Sequence, residues 1–339
     1  MITRWEVLAY AARLPAGRGY VLRIHDESGC VGTGEARALQ GFGSGPAALE
    51  AFIGNPDAVQ SLLERPAAGA ATPFEALFAV ETAIADLNAQ NQGVPLVEQL
   101  GFARPDALGN SLLVNDEAEA LRLLGDGHRN FKLKAHGTSN DSMALLQCLH
   151  DASEGSAKIR IDANGSWNRD TALAFLQQAP DASISFLEQP FPCGDLDSCV
   201  WLRERVPVPI ALDEGALTTE DIVEAARTGA AQVVVIKPMY RGLYGSLQLA
   251  TIADGHDLGV CVTHAMDGTV GRLATMHVAA AIETICPDSS WPHGLYAPGL
   301  TNLADEPELQ ADRLRMPAGH GLGCHGLRLE KLEPVCASA

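Results

Sequence analysis

The sequence predicts an α/β protein whose larger part is a closed barrel of alternating strands and helices. From about residue 108 onward, short runs rich in β-forming residues alternate with helix-length segments. Strands that alternate with helices form parallel sheets with right-handed crossovers. Eight such strands fit a closed barrel better than an open sheet. The runs are SLLVN, NFKLKA, KIRIDAN, ISFLEQP, VPIALDE, QVVVIKP, GVCVTH and ETICPD.

The first hundred residues differ from the rest of the chain. The stretch RGYVLRIHDESGCVGTGEA predicts a β-hairpin, and residues 74–92 show a helical apolar period after Thr72 and Pro73. The glycine-rich loop GFGSG lacks the Lys-Ser/Thr ending of a phosphate loop, so we interpret it as a mobile surface loop or lid. The stretch from Arg315 onward predicts a loop and a last strand that returns to the N-terminal part.

Composition limits the partners that the protein can have. Its 339 residues include 42 acidic and 24 basic side chains, for a formal net charge of −18. This balance argues against nucleic acid and against anionic membranes as partners. Eight scattered cysteines without a CxxC pair, and no signal-peptide pattern, indicate a cytoplasmic protein with reduced thiols. The apolar runs are too short to span a bilayer. We expect a small-molecule substrate, and a homo-oligomer is compatible with the sequence.

Five charged residues stand where five successive strands are predicted to end. They follow one another at intervals of 24 to 28 residues, one strand-plus-helix unit each: Lys134, Asp162, Glu188, Asp213 and Lys237. In a barrel the carboxyl ends of the strands meet at one mouth, where active sites are found. One aspartate after a strand is usually a helix cap or a turn residue. Five charged residues in register predict a shared site.

The composition of this cluster predicts a metal-assisted proton transfer. Three carboxylates in one pocket cannot all ionise without compensation, and an all-oxygen set favours Mg²⁺. Zinc fits poorly, because the chain has no HExxH motif and no Cys/His cluster. Lysines beside the carboxylates can act as general bases. Lys132 and Lys134 share one strand face, and we expect their crowding to lower the pKa of a lysine.

The motifs at these strand ends resemble the enolase superfamily, in its muconate-lactonizing subgroup. They are KLK at 132–134, DAN at 162–164, EQP at 188–190, DEG at 213–215 and IKP at 236–238. The resemblance implies a modified (β/α)7β barrel with an α+β capping domain. Residues 1–105 would form the cap, residues 106–314 the barrel, and residues 315–339 a segment that returns to the cap.

The same resemblance implies a role for each residue of the cluster. Asp162, Glu188 and Asp213 would be the Mg²⁺ ligands. Lys134 and Lys237 would face each other across the substrate, and Lys132 would support Lys134. The chemistry shared by the superfamily is removal of a proton α to a carboxylate, which gives an enediolate.

Within the subgroup the chain most resembles the o-succinylbenzoate synthases of menaquinone biosynthesis, which are carbon–oxygen lyases. The stretches GEARALQGFGSG, IRIDANGSW and THAMDGTVGRLATMHVAAA carry this likeness. It implies dehydration of 2-succinyl-6-hydroxy-2,4-cyclohexadiene-1-carboxylate. Asn164, Arg160 and Thr263 are the expected substrate-binding residues. Arg160 would either help to position Lys134 or form an ordinary salt bridge inside the barrel.

Two departures from the subgroup pattern leave the substrate open. Asp267 stands where many members carry a glutamate, and Arg37 interrupts a loop that is more apolar in the synthases. Dipeptide epimerases usually show an acidic DxD pair at the eighth strand, whereas PDSSW has only Asp288. The alternatives are an N-acylamino-acid racemase or dipeptide epimerase, then a muconate cycloisomerase. A non-catalytic binding barrel would lack a metal ligand or a base, and none is missing.

Overall fold

A computed structural model describes residues 1–13, 15–135, 140–180 and 183–338, and it contains a parallel barrel sheet and two antiparallel sheets. The strands are β1 (Ile2–Ala12), β2 (Gly17–Asp26), β3 (Val31–Ala36), β4 (Ala107–Gly109), β5 (Leu112–Leu113), β6 (Asn130–Lys134), β7 (Lys158–Asp162), β8 (Ile184–Glu188), β9 (Ile210–Leu212), β10 (Val233–Ile236), β11 (Gly259–Val262), β12 (Leu309–Gln310), β13 (Arg313–Arg315) and β14 (Glu333–Ala337).

Four α-helices lie between β3 and β4, and each later helix lies between two consecutive strands. They are α1 (Pro46–Ile53), α2 (Pro56–Glu64), α3 (Phe74–Gln92), α4 (Leu96–Gln99), α5 (Glu117–Gly125), α6 (Asn140–Ala152), α7 (Arg169–Gln178), α8 (Leu196–Arg203), α9 (Thr219–Thr228), α10 (Leu243–Asp254) and α11 (Thr269–Ile285). Short 3₁₀ turns span Pro238–Tyr240 and Leu329–Lys331.

The parallel sheet runs in chain order from β5 to β11, as the alternating pattern predicts. Lys134 is in register with Asp162, and Asp162 is in register with Glu188. Register of this kind brings the last residues of neighbouring strands to one level. The five charged strand-end residues are therefore presented at the same mouth.

An irregular segment at residues 289–294, rather than the predicted strand ETICPD, closes the barrel. Glu283, Thr284 and Ile285 belong to the last turn of α11, so the prediction of a strand there is wrong. The segment pairs with β11 through Ser290 and Gly294, and His293 pairs with Asn110 just before β5. It therefore bridges the two edges of the sheet. Single bridges leave no alternating apolar pattern, which explains why the sequence did not reveal this segment.

An antiparallel sheet, in the order β14-β1-β2-β3, packs against α1–α3 and forms the cap. The predicted hairpin (β2–β3) and the helix at 74–92 are confirmed, and the last strand returns to pair with β1. The α/β class and the barrel with its cap are confirmed. The exact domain boundaries stay a prediction. All eight cysteines are unpaired. Among the described helices, none is both long and apolar enough to cross a bilayer.

Helix α3 crosses β3 at very short range because the strand sequence VGTGEA has glycine at alternate positions. A Cβ added at Gly34 would lie 1.9 Å from the carbonyl oxygen of Ala79 in α3. We expect Gly34→Ala to lower the free energy of unfolding by about 1–3 kcal/mol, since the helix must move away. Urea denaturation will measure the change. Gly17→Ala is the control, because a Cβ there meets nothing within 4 Å; an equal loss in both variants would contradict the packing explanation.

A buried carboxylate ties α3 to β3 and to the segment that precedes β14. Asp86 accepts hydrogen bonds from the backbone N–H groups of Thr33 and Leu322, both at 2.8 Å. Burial raises the pKa of Asp86 to about 6, although these hydrogen bonds act in the opposite direction. The folded protein therefore holds this proton to a higher pH than the unfolded chain does.

This difference in proton binding predicts a pH dependence of stability. The contribution of Asp86 to the free energy of unfolding should be fully present below about pH 4 and should be lost as the pH rises through about 6. Asp86→Asn has no proton to lose there, so its unfolding free energy should fall less over the same range. Urea titrations of both proteins at several pH values will test this. Parallel pH profiles for the two proteins would refute the assignment.

Candidate active site

A cavity of about 220 Å³ opens at the carboxyl ends of the barrel strands; we call it the strand-end cavity. Lys134 ends β6 and Lys237 directly follows β10, and three strands separate β6 from β10 in the sheet. The two lysines therefore reach the cavity from opposite sides of the barrel. Eight of the nine predicted site residues line it: Lys132, Lys134, Arg160, Asp162, Asn164, Asp213, Lys237 and Thr263.

Glu188, the ninth predicted residue, is fully buried and holds Lys132. The ammonium of Lys132 lies 2.8 Å from Glu188 Oε1 and 2.8 Å from Asp162 Oδ2. Burial alone would lower the pKa of Lys132, but the charges of Glu188 and Asp162 raise it. Crowding by Lys134 therefore does not lower the pKa of Lys132. The two carboxylates outweigh burial and the charge of Arg160.

The carboxylates respond to the same neighbours in different ways. Burial and the charge of Asp162 raise the pKa of Glu188 to about 6. Burial also acts to raise the pKa of Asp162, but the ammonium groups of Lys132 and Lys134 bring it down to about 2. Both carboxylates are thus held in place by cationic charge.

The third carboxylate forms a pair of its own across the next two strands. Lys237 donates a short hydrogen bond to Asp213 Oδ2. Burial raises the pKa of Asp213, with Lys237 opposing the shift. The backbone around Asp213 is fixed by Gln189, whose Oε1 accepts from the N–H groups of Asp213 and Gly215, both at 3.0 Å. The EQP motif therefore orients the DEG motif of the next strand.

Lys134 is the most accessible of the three lysines, with 42% of its side chain exposed. Its ammonium donates to Asn164 Oδ1 at 2.7 Å and lies 3.5 Å from Asp162 Oδ2. Asn164 in turn donates to Glu214 Oε1 at 3.2 Å. Asn164 has a positive φ of 44°, a conformation that asparagine tolerates better than most residues. This turn after β7 aims its side chain at Lys134.

Arg160 lies one layer below the strand ends and is 3% exposed. Its guanidinium donates to Cys261 Sγ at 2.7 Å and to the carbonyl of His293 at 3.4 Å. No described carboxylate lies within 4 Å of it, so it does not form the ordinary salt bridge that was one expectation. Its contacts are with β11 and the closing segment, so they give no direct link to Lys134.

Several residues of the cavity were not anticipated. Among the predicted residues, Thr263 has a buried Oγ1 without a hydrogen-bond partner in the described part of the chain. Glu214 follows Asp213 in the DEG motif, and its Oε2 is likewise unpartnered. Burial lowers the pKa of His264 to about 3, so this side chain is neutral. The remaining lining is largely apolar: Leu39 and Phe42 come from the loop predicted as a lid, and Leu113, Met266 and Tyr296 from the barrel side. Two sequence features could have indicated these residues. Glu214 belongs to the DEG motif, and Phe42 lies in the glycine-rich loop.

The donor set fits a hard divalent cation. Asp162, Glu188 and Asp213 offer only carboxylate oxygens on three neighbouring strands, which suits Mg²⁺. Two of them already converge on the ammonium of Lys132, so a cation stands between them. Within the described ranges, no three Asp, Glu, His or Cys side chains are gathered closely enough around one point to hold a metal ion. The assignment of Mg²⁺ stays a prediction.

Comparison with known proteins shows that this chain is similar to enzymes. Residues 115–326 match the family described as Enolase C-terminal domain-like. Muconate cycloisomerase 1 of Rhodococcus opacus is 33% identical over 258 residues, 72% of this chain and 68% of the relative. L-Lys-D/L-Arg epimerase of Methylococcus capsulatus is 34% identical over 285 residues, 79% of this chain and 76% of the relative.

An o-succinylbenzoate synthase of Thermobifida fusca is 32% identical over 170 residues, 50% of this chain and 49% of the relative. The solved muconate lactonizing enzyme from Pseudomonas putida superposes with a TM-score of 0.79 at 25% identity. The match covers 95% of this chain and 96% of that one. The broader matches are therefore to cycloisomerases and an epimerase, and the match to the synthase is shorter.

Proposed function

Because the chain belongs to the Enolase C-terminal domain-like family, we propose that it is a Mg²⁺-dependent o-succinylbenzoate synthase. The substrate would be 2-succinyl-6-hydroxy-2,4-cyclohexadiene-1-carboxylate. One observation carries the proposal: Lys134 and Lys237 reach one cavity from opposite sides, with Asp162 and Asp213 in its lining and Glu188 buried against Lys132. Opposed amines on either side of a carboxylate-bearing carbon are suited to moving its α-proton.

Each lysine has a separate task in the proposed reaction. The neutral amine of Lys134 takes the α-proton, and the electrons of the broken C–H bond move into the substrate carboxylate as an enediolate. The same lysine returns the proton to the departing hydroxyl group, so that water leaves and the ring becomes aromatic. Lys237 stays protonated, stabilises the anion by its charge and contacts the ring face. Asn164 holds Lys134 in place through its Oδ1.

Asp162, Glu188 and Asp213 would hold the metal ion. Mg²⁺ bound there would stabilise the negative charge that develops on the substrate carboxylate. Lys132 would then help to hold the carboxylates and contribute positive charge next to Lys134.

The charge balance of the site supports a dianionic substrate. Four cations at the cavity stand against four carboxylates: Lys132, Lys134, Arg160 and Lys237 against Asp162, Glu188, Asp213 and Glu214. A divalent metal would leave two positive charges in excess while Lys134 is protonated, and one when Lys134 acts as the neutral base. In either state the excess is positive, which suits the two carboxylates of the cyclohexadiene substrate.

The same balance weighs against a cationic dipeptide as substrate. Asp288 is exposed and does not line the cavity. The closing segment, residues 289–294, contains no acidic residue that could bind a substrate amine. An N-acylamino-acid racemase remains the second candidate, because the opposed lysines suit it as well. The apolar lining by Leu39 and Phe42 favours the ring substrate.

A comparison of substrates will test the proposal. We expect the specificity constant kcat/KM for the cyclohexadiene carboxylate to exceed that for N-succinyl amino acids by about 100-fold or more. This ratio corresponds to roughly 3 kcal/mol of transition-state binding. The assay should also include cis,cis-muconate and Lys-Arg dipeptides. A higher kcat/KM on any of these three would overturn the synthase assignment. Lys134→Ala must abolish every activity, which shows that contaminants are not responsible.

A further inference from the structure

A second pocket opens at the other end of the barrel, where the strands begin. Its volume is about 360 Å³. We call it the opposite pocket. Asn130, Lys158 and Ile184 are the first residues of β6, β7 and β8, and Trp291 and Pro292 come from the closing segment. The remaining lining residues are Ser111, Arg160, Ser185 and Phe186. The mechanism does not use this mouth of the barrel.

The opposite pocket is cationic in a strongly acidic protein. Lys158 and Arg160 line it, and no Asp or Glu does so in the described ranges. Neither cation has a described carboxylate within 4 Å, and the buried Nε of Arg160 has no hydrogen-bond partner. Burying a guanidinium without a counter-charge is costly. An anion in this pocket would remove that cost.

The wall of the opposite pocket next to Arg160 is aromatic. Phe186 and Trp291 meet edge to face with ring centroids 5.3 Å apart, and the guanidinium of Arg160 stands 5.4 Å from the Phe186 ring. Gly259 makes room for the indole, because a Cβ there would lie 2.4 Å from Trp291 Nε1. Trp291 remains partly exposed. The Trp291 ring therefore packs against Gly259 and Phe186 and remains accessible from the pocket.

We propose that the opposite pocket binds a small aromatic carboxylate. The carboxylate would lie between Lys158 and Arg160, and the ring would pack on Trp291. Arg160 also lines the strand-end cavity. The two sites therefore share one side chain, through which an occupant of one could influence the other. The proposal does not depend on the identity of the substrate.

Benzoate is the probe, and tryptophan fluorescence is the readout. No tryptophan lines the strand-end cavity, so a signal from Trp291 reports the opposite pocket. We expect saturable quenching in the parent protein and its loss in Trp291→Phe. Lys158→Gln should weaken benzoate binding about tenfold, because a charge-assisted contact is removed. It should leave kcat and KM unchanged, since Lys158 does not line the strand-end cavity. Lys331→Gln, at an exposed lysine elsewhere, should change neither.

Three results would overturn the proposal. The first is quenching that persists in Trp291→Phe, which would place benzoate elsewhere. The second is an unchanged affinity in Lys158→Gln while Trp291→Phe remains active and folded. The third is acetate binding as tightly as benzoate, which would refute the aromatic part of the site.

Discussion

Replacement of Lys134 by alanine is expected to lower kcat by about 10²–10⁴-fold, the range typical of losing a general base. The protein should keep its stability, because 42% of the side chain is exposed and, within the described ranges, its polar contacts are with Asn164 and Asp162. Steady-state kinetics and urea denaturation of the same preparation separate the two effects. Near-parental turnover would show that Lys134 is not the base.

Two further variants sharpen this test. Asn164→Ala removes the oxygen that orients Lys134, so kcat should fall by a smaller factor than in Lys134→Ala while KM changes little. Lys331→Ala, a lysine outside the site, is the control for loss of a positive charge. Equal loss in Lys134→Ala and Lys331→Ala would point to a general effect of charge rather than to catalysis.

Removal of divalent metal by a chelator is expected to abolish activity without unfolding the protein, and added Mg²⁺ should restore it. In the metal-free arrangement Lys132 neutralises Asp162 and Glu188, and Lys237 neutralises Asp213. These ammonium groups therefore reduce the repulsion among the carboxylates when the cation is absent. Activity and circular dichroism should be followed on one sample. Full activity in metal-free buffer would refute the metal assignment.

Lys132→Met separates the role of metal from that of lysine. Without this ammonium, Asp162 and Glu188 are buried charges with no partner between them. The metal-free variant should lose about 3–5 kcal/mol of unfolding free energy, the usual cost of breaking a buried ion pair. Mg²⁺ should recover much of that loss by binding the same carboxylates. A variant whose stability does not respond to Mg²⁺ would show that the cation binds elsewhere.

The fold could be predicted well from the sequence, because its signals are local. Alternating strands and helices predict a parallel barrel, and the family match confirms the resemblance to the enolase superfamily and its muconate-lactonizing subgroup. The closing segment escaped prediction because the isolated bridges of Ser290, His293 and Gly294 impose no regular pattern. A strand held by single bridges does not need alternating apolar residues.

In the candidate site, too, some features could be predicted from the sequence and others could not. Strand ends place Lys134, Asp162 and Lys237 at one mouth, and this follows from sequence spacing alone, since parallel strands of similar length end at one edge. The sequence could not say that Lys132 bridges two carboxylates, or that Arg160 turns toward Cys261 and His293. Those contacts join side chains from different strands that lie far apart along the chain.

The sequence by itself determined which charged residues meet, because the repeating strand-plus-helix unit sets their position. Only the tertiary structure decided how their charges pair. The pKa of Lys132 illustrates the difference: a neighbouring ammonium such as Lys134 would by itself lower it, whereas Glu188 and Asp162 raise it. Electrostatic energy depends on distances of a few ångströms between side chains from different strands. Those distances exist only after the barrel has closed.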